Sequence, residues 1–370
     1  MADAVVVGAG VVGCAIARDL SAAGLSVVVI ERDRPGCGAS GAAAGILSPQ
    51  AEADGPSPLL DLCLESRDMY PRLLEDLRIE TGIEVPYRTS GTIFIATSDE
   101  EEARLETRFE WQTGAGLPIE RISAGRVHTL EPGLAPGLHI ALRFPYDHQI
   151  DNAELTRVLA LAAVKRGAEM RAGVEATRLL VEGGKVRGVA LGPGRVYSPR
   201  VILCAGAWSG LFDCGGPALA VHPIRGQIVA LESNGTRFDR VIYTEKGYMV
   251  PRIDGRILVG STMEHAGFAA RPTAGGTRAL LGLAQSLAPA LERASIAGVW
   301  AGLRPAAEDG LPILGPAGPP WPDGLFFATG HFRNGILLAP LTARLLTESI
   351  FAEKPPAALD PFLASRLIRA

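Results

Sequence analysis

Apolar residues follow two different periods at the start of the chain. Residues 4–8 (AVVVG) and 25–31 (LSVVVIE) are short apolar runs rich in β-branched side chains, a composition typical of buried strands. Between these runs, Val12, Ile16 and Leu20 recur at helical spacing and share one face. The pattern therefore predicts a strand, a helix and a second strand at the beginning of the protein.

The same two periods continue along the chain. Helical spacing is found at residues 58–81, 99–113, 152 to about 168, about 276–292 and 335–350, with a capping box at Ser98 and Glu101. Strand character is found at residues 89–97, 139–145, 201–203 and 326–329, with hairpin turns at Gly183-Gly184 and Asp254-Gly255. Residues 225–263 alternate apolar and polar positions, which predicts an antiparallel sheet.

The composition narrows the class of protein. The chain has 370 residues, 47% of them hydrophobic, which suits one large domain or two interleaved ones with a substantial core. The net charge of −4 gives no reason to expect a nucleic-acid partner. No apolar run approaches the roughly 18 residues of a membrane span. The N-terminus lacks the basic region and cleavage site of a secretory signal. We expect neither a nucleic acid nor a membrane as partner.

The cysteines give the next constraint. Five are scattered at positions 14, 37, 63, 204 and 214, and no two form a CxxC pair. Neither a disulfide framework nor a zinc site is predicted, and we expect no bound metal. Scattered thiols fit a reducing compartment best, so we expect a cytoplasmic location.

Gly8, Gly10 and Gly13 follow the first strand at the GxGxxG spacing of a dinucleotide-binding turn. Gly8 allows the tight turn, Gly10 lets a pyrophosphate approach the backbone, and Gly13 lets the helix pack closely on the strand. The helix N-terminus offers free N–H groups to the phosphates. Glu31 can accept hydrogen bonds from both ribose hydroxyls and would repel a 2′-phosphate, which argues against NADP. This unit alone leaves FAD and NAD as alternatives.

Two further segments of small residues favour a flavin nucleotide. Arg32 and Ser40 are placed to reach a phosphate or ribose, and residues 41–45 (GAAAG) suit close approach of the backbone to a flat ring. A flexible surface loop is the alternative for that run. Residues 201–203 predict a strand that turns tightly into a helix at 205–208 (AGAW), for which an ordinary strand-to-helix turn is the alternative.

Together these segments resemble the FAD-dependent amino-acid oxidase family, which includes D-amino-acid oxidase, sarcosine oxidase and glycine oxidase. The resemblance extends over nearly the whole chain. It is sharpest at residues 247–252 (GYMVPR), 259–263 (VGSTM), 300–316 (WAGLRPAAEDGLPILGP) and 330–340 (GHFRNGILLAP), which are similar to the glycine oxidases of thiamine synthesis. Where a histidine can precede the active-site tyrosine of the family by two positions, this chain has Lys246.

The resemblance implies a fold like that of D-amino-acid oxidase. The expected class is α/β, or α+β overall, with a Rossmann-like FAD-binding domain and a substrate domain built on a mixed or antiparallel sheet. Because cofactor-type segments lie at the start, middle and end of the chain, both domains are expected to be discontinuous. We expect residues 1–85, 146–222 and 300–370 in the FAD-binding domain and residues 86–145 and 223–299 in the substrate domain. The active site should lie at their junction.

The resemblance also implies non-covalent FAD. The cysteine that binds flavin covalently in some sarcosine oxidases lies late in the chain, whereas the last cysteine here is Cys214. GHFRNGILLAP is expected to place a helix N-terminus by the pyrimidine end of the ring, where its dipole favours negative charge. His331 is then positional rather than a general base. The predicted cofactor-binding residues are Gly8, Gly10, Val11, Val12, Gly13, Glu31, Arg32, Ser40, Gly41, Ala43, Ala44, Gly45, Ile46, Leu47, Val174, Ala205, Gly206, Trp208, Arg304, His331, Arg333, Asn334, Gly335 and Ile336.

The resemblance implies that Arg304 binds the substrate carboxylate, and a guanidinium suits this role because it pairs with a carboxylate in bidentate geometry. A structural salt bridge with Glu308 or Asp309 is the alternative. Tyr248 is expected to add one hydrogen bond, unless it is simply a half-buried sheet residue. The predicted substrate-binding and catalytic residues are Arg304, Tyr248, Arg333 and Met263. For the last two, a surface arginine paired with an acid and an ordinary core methionine are the alternatives.

The implied reaction is oxidative deamination of glycine, and of sarcosine or small D-amino acids, by hydride transfer to flavin N5. O2 would reoxidise the flavin and give hydrogen peroxide. The imine would hydrolyse to glyoxylate and ammonia, or pass to thiazole synthase in thiamine synthesis. Relatives are often homo-oligomers, so we expect this chain to form a homo-oligomer. Three alternatives stay open: a dehydrogenase of the same fold that reduces a quinone, a flavin-binding module of a larger assembly such as a tRNA-modifying protein, and an NAD-dependent dehydrogenase.

Overall fold

The computed structural model describes residues 1–233 and 235–368. The strands are β1 (Ala4–Val7), β2 (Val27–Glu31), β3 (Ile46–Leu47), β4 (Tyr87–Arg88), β5 (Thr92–Ile95), β6 (Glu120–Ile122), β7 (Ala141–Phe144), β8 (His148–Ile150), β9 (Glu169–Ala172), β10 (Ala176–Glu182), β11 (Lys185–Leu191), β12 (Arg195–Tyr197), β13 (Val201–Leu203), β14 (Val221–Glu232), β15 (Val241–Thr244), β16 (Gly247–Pro251), β17 (Arg256–Gly260), β18 (Ile296–Ala307), β19 (Ile313–Pro316) and β20 (Leu325–Thr329). The α-helices are α1 (Val11–Ala22), α2 (Ala39–Ala42), α3 (Pro49–Glu52), α4 (Pro58–Asp68), α5 (Tyr70–Thr81), α6 (Asp99–Gly114), α7 (Ala124–Leu130), α8 (Asn152–Lys165), α9 (Ala274–Leu287) and α10 (Gly335–Phe351). Short 3-10 helices cover Gly206–Leu211, Pro289–Arg293, Ala357–Phe362 and Ala364–Leu367.

A sheet of the order β19-β20-β13-β1-β2-β9 joins strands from the start, middle and end of the described chain. All its pairings are parallel except that of β19 with β20. Successive side chains point to opposite faces, so Val6 and Val29 pack with residues of α1, α8 and α10, whereas Val5 and Val28 pack against the sheet of β10, β11 and β12. Both faces are therefore covered, as parallel sheets require.

The second large sheet has the order β18-β14-β17-β16-β15-β5-β7-β6 within the described residues. Its pairings are antiparallel except for β15 with β5. The predicted antiparallel sheet over 225–263 is confirmed, and the long pairing of β14 with β18 sets Ile224 opposite Arg304 and Gly226 opposite Gly302. This pairing positions Arg304 in the cavity described below.

Several predicted helices differ from the observed ones at positions where proline or glycine interrupts the backbone. The single helix expected over 58–81 is wrong, because it divides at Met69 into α4 and α5, and Pro71 lacks the N–H needed to continue the first helix. The helix expected over 276–292 ends at Leu287, and a 3-10 helix follows from Pro289. Helix α8 ends at Lys165, just before Gly167 with a φ of +99°.

Helix α10 contains a proline, and the preceding helices compensate for it. Pro340 has no N–H, so the carbonyl of Ile336 lacks its usual intrahelical donor. The fully buried Tyr70 hydroxyl donates to that carbonyl. Ser66 Oγ donates to the Leu337 carbonyl at 2.7 Å and accepts from the Leu341 N–H at 3.3 Å. Helices α4 and α5 thereby fix the start of α10 next to the site.

The predicted domain boundaries at 86, 146, 223 and 300 stay a prediction, and strand β18 runs across the last of them. The sheets do support a discontinuous arrangement, since each large sheet takes strands from separated stretches of the chain. Among the residues that the structure describes, no helix is long and apolar enough to cross a membrane.

Candidate active site

A cavity of about 550 Å³ lies where the carboxyl ends of β1, β2 and β13 meet the second sheet. Such a position is where ligands bind in open α/β sheets. Its walls include most of the residues predicted from the sequence. These are Gly8, Gly10, Val11, Val12, Gly13, Glu31, Arg32, Ser40, Ala43, Ala44, Gly45, Ile46, Ala205, Gly206, Trp208, Tyr248, Arg304, His331, Arg333, Asn334, Gly335 and Ile336.

Four predicted site residues are not brought to the cavity wall. A side chain at Gly41 would meet the backbone of the neighbouring loop at 2.4 Å, so this glycine serves packing. Leu47 is fully buried in the core beneath the site. Val174 is partly buried on the other side of the sheet, although the next three residues do line the cavity. Met263 is 58% exposed and is neither a core methionine nor part of the wall.

The glycine turn has the geometry that a dinucleotide requires. Gly8 has a φ of +107°, and a Cβ there would lie 2.4 Å from the carbonyl oxygen of Cys204. A Cβ on Gly13 would lie 2.0 Å from the carbonyl oxygen of Gly8, so only glycine lets α1 approach β1 this closely. Helix α1 begins at Val11 and its N-terminus faces the cavity, where the Val11 N–H donates to Ser40 Oγ at 2.9 Å. A pyrophosphate fits this N-terminus.

The acid at the end of β2 is held in place by backbone amides. Glu31 Oε2 accepts from the Ala9 N–H at 2.8 Å, and Oε1 accepts from the Asp33 N–H at 3.0 Å. A carboxylate has further acceptor capacity, so it remains able to bind ribose hydroxyls. Beside it, the Arg32 guanidinium stacks 3.7 Å above the Trp208 ring, a cation–π contact that orders the adjoining wall.

The middle of the cavity is lined by residues with little or no side chain. A Cβ on Gly302 would lie 2.6 Å from the Cβ of Ala42, and the Trp300 indole N–H donates to the Ala42 carbonyl at 3.0 Å. On the opposite side, α10 begins at Gly335 after Asn334, without a side-chain cap. This wall has room for a flat ring, and the N-terminus of α10 favours negative charge beside it. Together with the glycine turn, these features fit FAD.

Arg304 lines the cavity from β18 and is half-buried. Its Nη1 donates to the Thr262 carbonyl at 3.2 Å and its Nη2 to Ser261 Oγ at 2.5 Å. Burial lowers the pKa of the Arg304 guanidinium, and the nearby Tyr248 hydroxyl acts in the opposite direction. The predicted alternative partner Asp309 instead pairs with Arg366 at 2.7 Å.

Arg333 pairs with an acid, which was the alternative predicted for this residue. The acid is Glu52, which lines the same cavity. Arg333 Nη2 lies 2.8 Å from Glu52 Oε1, and this pairing raises the pKa of the guanidinium. The buried Tyr243 hydroxyl donates to the same carboxylate oxygen at 2.6 Å. Burial and the Glu52 charge raise the Tyr243 pKa well above its ordinary value, so this phenol stays protonated.

His331 is 4% exposed, and its Nε2 lies 3.1 Å from Thr342 Oγ1. Burial lowers its pKa to about 4, so the ring is neutral at pH 7. The next residue, Phe332, has a φ of +49°, and its N–H donates to the Pro305 carbonyl at 2.8 Å. This strained turn joins β20 to α10. The hydrogen bond between the imidazole and Thr342 therefore links this turn to α10.

Sequence reasoning missed several residues of the cavity wall. Glu52, Ser48, Ser261 and Gly226 all line the cavity. A Cβ on Gly226 would lie 2.3 Å from both Nη atoms of Arg304, so this glycine makes room for the guanidinium. A glycine inside an alternating strand pattern is a signal of close approach and could have indicated Gly226. Glu52 gave no comparable local signal.

The cavity combines the glycine turn of a dinucleotide site with a half-buried arginine, an arrangement that fits a flavin-dependent oxidoreductase. A family model described as FAD dependent oxidoreductase matches residues 3–349. The chain belongs to this family. The predicted fold class and the predicted FAD cofactor are thereby confirmed.

The chain is similar to glycine oxidases over its full length. The glycine oxidase of Geobacillus kaustophilus (strain HTA426) is 36% identical over 371 residues, covering 99% of this chain and 97% of that protein. The crystal structure of glycine oxidase from Geobacillus kaustophilus matches with a TM-score of 0.95 at 35% identity, over 100% of this chain and 99% of that one. The bifunctional protein ThiO/ThiG of Trichormus variabilis (strain ATCC 29413 / PCC 7937) is 35% identical over 368 residues, which are 98% of this chain and 55% of that protein.

Proposed function

We propose that this FAD-dependent amine oxidoreductase oxidises glycine, and other small amino acids, at the Arg304 end of the cavity. The full-length similarity to glycine oxidases supports the assignment. The observation that carries it is the Arg304 guanidinium, which is held in the cavity by the neutral acceptors Ser261 Oγ and Thr262 O. A guanidinium with neutral partners provides the positive charge that a substrate carboxylate needs on leaving water.

Different residues of the site bind the substrate and stabilise the flavin. Arg304 pairs with the substrate carboxylate, and Tyr248, which lines the same cavity, donates to the same group. When FAD is bound, its isoalloxazine ring supplies the hydride acceptor. The amides at the start of α10 favour negative charge beside that ring. His331 is neutral and engaged with Thr342, so it is not assigned a proton transfer.

We further propose that O2 is the electron acceptor and that the imine hydrolyses to glyoxylate and ammonia or is passed to a thiazole synthase for thiamine synthesis. A bifunctional relative, whose name joins ThiO to ThiG in one chain, supports a partnership of this kind. Reduction of O2 to hydrogen peroxide balances the two electrons removed from the C–N unit. Sarcosine and D-alanine are further candidate substrates, since they share the carboxylate and a small amine.

An anaerobic titration of the purified protein with glycine tests the proposal. We expect the yellow flavin absorbance to bleach with glycine and to return on admission of air, with hydrogen peroxide formed. Bleaching without reoxidation by air would identify a dehydrogenase of the same fold that uses another acceptor. Flavin that stays oxidised in glycine, sarcosine and D-alanine would overturn the substrate assignment.

The role of Arg304 has its own test. An Arg304→Ala variant should retain FAD and lose kcat/KM for glycine by about 100-fold or more, because the carboxylate would be desolvated without its partner. Arg304→Lys should recover part of the loss, since it restores the charge without the bidentate geometry. A normal KM for glycine in the alanine variant would remove Arg304 from the carboxylate site.

A further inference from the structure

The substrate end of the cavity holds three charges rather than one. Glu52, Arg304 and Arg333 all line it, and both Glu52 and Arg333 influence the pKa of Arg304. The Glu52 side chain is 23% exposed and that of Arg333 is 32% exposed, and both residues line the cavity. The formal charges of Glu52, Arg304 and Arg333 add up to one positive charge, which matches a ligand with one carboxylate.

Glu52 is fixed in this position by contacts from separate parts of the fold. It is the last residue of α3, and its Oε1 accepts from Tyr243 on β15 at 2.6 Å and from Arg333 at 2.8 Å. At the other side of α3, the fully buried Asp147 carboxylate accepts from the Ala51 N–H at 2.9 Å. The carboxylate is therefore held beside Arg333 rather than free to leave it.

We propose that Glu52 determines specificity by neutralising Arg333, so that the site accepts amino acids with a single carboxylate and rejects those with a second one. This inference rests on the proposed function. A second carboxylate near Arg333 would meet the Glu52 charge instead of an unpaired guanidinium, and like charges in a partly desolvated site repel strongly. Specificity of this kind uses repulsion of the wrong ligand as well as attraction of the right one.

The proposal predicts the effect of removing one charge. Glu52→Gln keeps the size of the side chain and an acceptor for Tyr243, but leaves Arg333 without its counter-charge. The formal charges of these three side chains then add up to two positive charges, which matches a dicarboxylate. We expect kcat/KM for D-aspartate or iminodiacetate, relative to that for glycine, to rise by about tenfold or more.

Two further variants test whether the unpaired Arg333 causes the rise in relative kcat/KM for dicarboxylates. The double variant Glu52→Gln/Arg333→Gln should return the ratio to its wild-type value, because the unpaired guanidinium is gone. Glu120→Gln is the matched control, since it breaks the Glu120–Arg143 ion pair on the second sheet, outside the cavity, and should leave the ratio unchanged. If Glu52→Gln fails to retain FAD, Glu52→Ala is measured in its place with the same expectation.

Ligand binding gives a readout that does not need turnover. Acetate and malonate are titrated while the flavin absorbance spectrum is followed, and malonate should gain affinity over acetate by about tenfold in Glu52→Gln. The proposal is overturned if, in Glu52→Gln, both the kcat/KM ratio of dicarboxylate to glycine and the affinity ratio of malonate to acetate stay within about twofold of wild type. It is also overturned if the increase in these ratios persists in the double variant. Failure of the wild type to oxidise glycine overturns the proposed function instead, and the malonate titration still decides the role of Glu52.

Discussion

Arg304 needs an empty space on the neighbouring strand. Gly226 provides it, since the two strands β14 and β18 are paired and a side chain at this position would occupy the place of the guanidinium. Ser261 and Thr262 then hold the freed group from the other side. The orientation of the arginine is thus set by a missing side chain as much as by its hydrogen bonds.

Gly226→Ala should displace the Arg304 guanidinium, because the new Cβ would lie 2.3 Å from its Nη atoms. We expect KM for glycine to rise by about tenfold or more with FAD content unchanged. Steady-state kinetics and the flavin absorbance of the purified variant measure the two quantities. Gly298→Ala on β18 is the matched control, since its Cβ would meet Trp300 only at an ordinary 3.7 Å. Equal kinetics for the two variants would contradict the steric argument.

His331 links the stability of the protein to pH. Its pKa is lowered to about 4 in the folded state by burial, against an ordinary value of 6.5, so the unfolded chain binds the proton more readily between these limits. The stabilisation that this neutral ring provides is complete above about pH 6.5 and is lost as the pH falls toward 4. The loss amounts to at most about 3 kcal/mol.

His331→Gln should therefore lose less stability than the wild type between pH 7 and pH 4.5, as measured by thermal unfolding. Glutamine can still bond Thr342 but does not titrate. His148, whose pKa burial also lowers to about 4, and Asp147, whose pKa burial raises to about 7, are unchanged in both proteins and cancel in the comparison. Parallel pH curves for the two proteins would assign the acid sensitivity elsewhere.

Among the elements, α10 is the one whose start must be most accurately placed, because it forms the cavity wall beside the expected flavin ring. The proline in its second turn weakens the helix at that place. Tyr70 and Ser66 restore the hydrogen bonds from outside the helix. The break between α4 and α5 at Met69 brings these two side chains to α10.

Tyr70→Phe should destabilise the protein by about 1–3 kcal/mol, because the buried carbonyl of Ile336 would be left without a donor. Pro340→Ala in that background should recover part of the loss by supplying the missing backbone N–H. Urea denaturation of the wild type, the two single variants and the double variant gives the coupling free energy between Tyr70 and Pro340. The exposed Tyr197→Phe is the control and should stay within about 0.5 kcal/mol of wild type. Strictly additive effects would show that the hydroxyl and the proline are independent.

At the scale of the whole molecule, bound FAD would contact separate parts of the fold. The cavity takes residues from both large sheets and from the loops between them. A ligand that binds only the folded state stabilises it in proportion to the logarithm of its concentration. FAD should therefore stabilise the assembly of the two sheets.

Removal of FAD should lower the melting temperature, and adding it back should raise the melting temperature progressively. At about 100 times the dissociation constant the gain corresponds to about 2.7 kcal/mol. Thermal scans of the apoprotein over a series of FAD concentrations test this. Riboflavin, which lacks the pyrophosphate and adenosine that the glycine turn would bind, is the control and should have a much smaller effect. A melting temperature independent of FAD would contradict the assigned cavity.

The contrast between Gly8 and Glu52 shows which parts of this site a sequence reveals. The glycine turn was predictable because its strand, glycines, helix and acid are contiguous and each has a local requirement, such as the positive φ of Gly8. Glu52 acquires its role only when β15 pairs with β5 and α10 docks, which brings Tyr243 and Arg333 to it from distant parts of the chain. Tertiary juxtaposition of this kind leaves no periodic or spacing signal.

The order in which the cavity wall is synthesised has a consequence for the making of the holoenzyme. The ribosome produces the glycine turn at residues 8–13 first and the start of α10 on the order of half a minute later. During that interval the nascent protein has no complete binding place for FAD. Cofactor loading is therefore a step that follows translation through α10, and a cell short of flavin would accumulate translated apoprotein awaiting its cofactor.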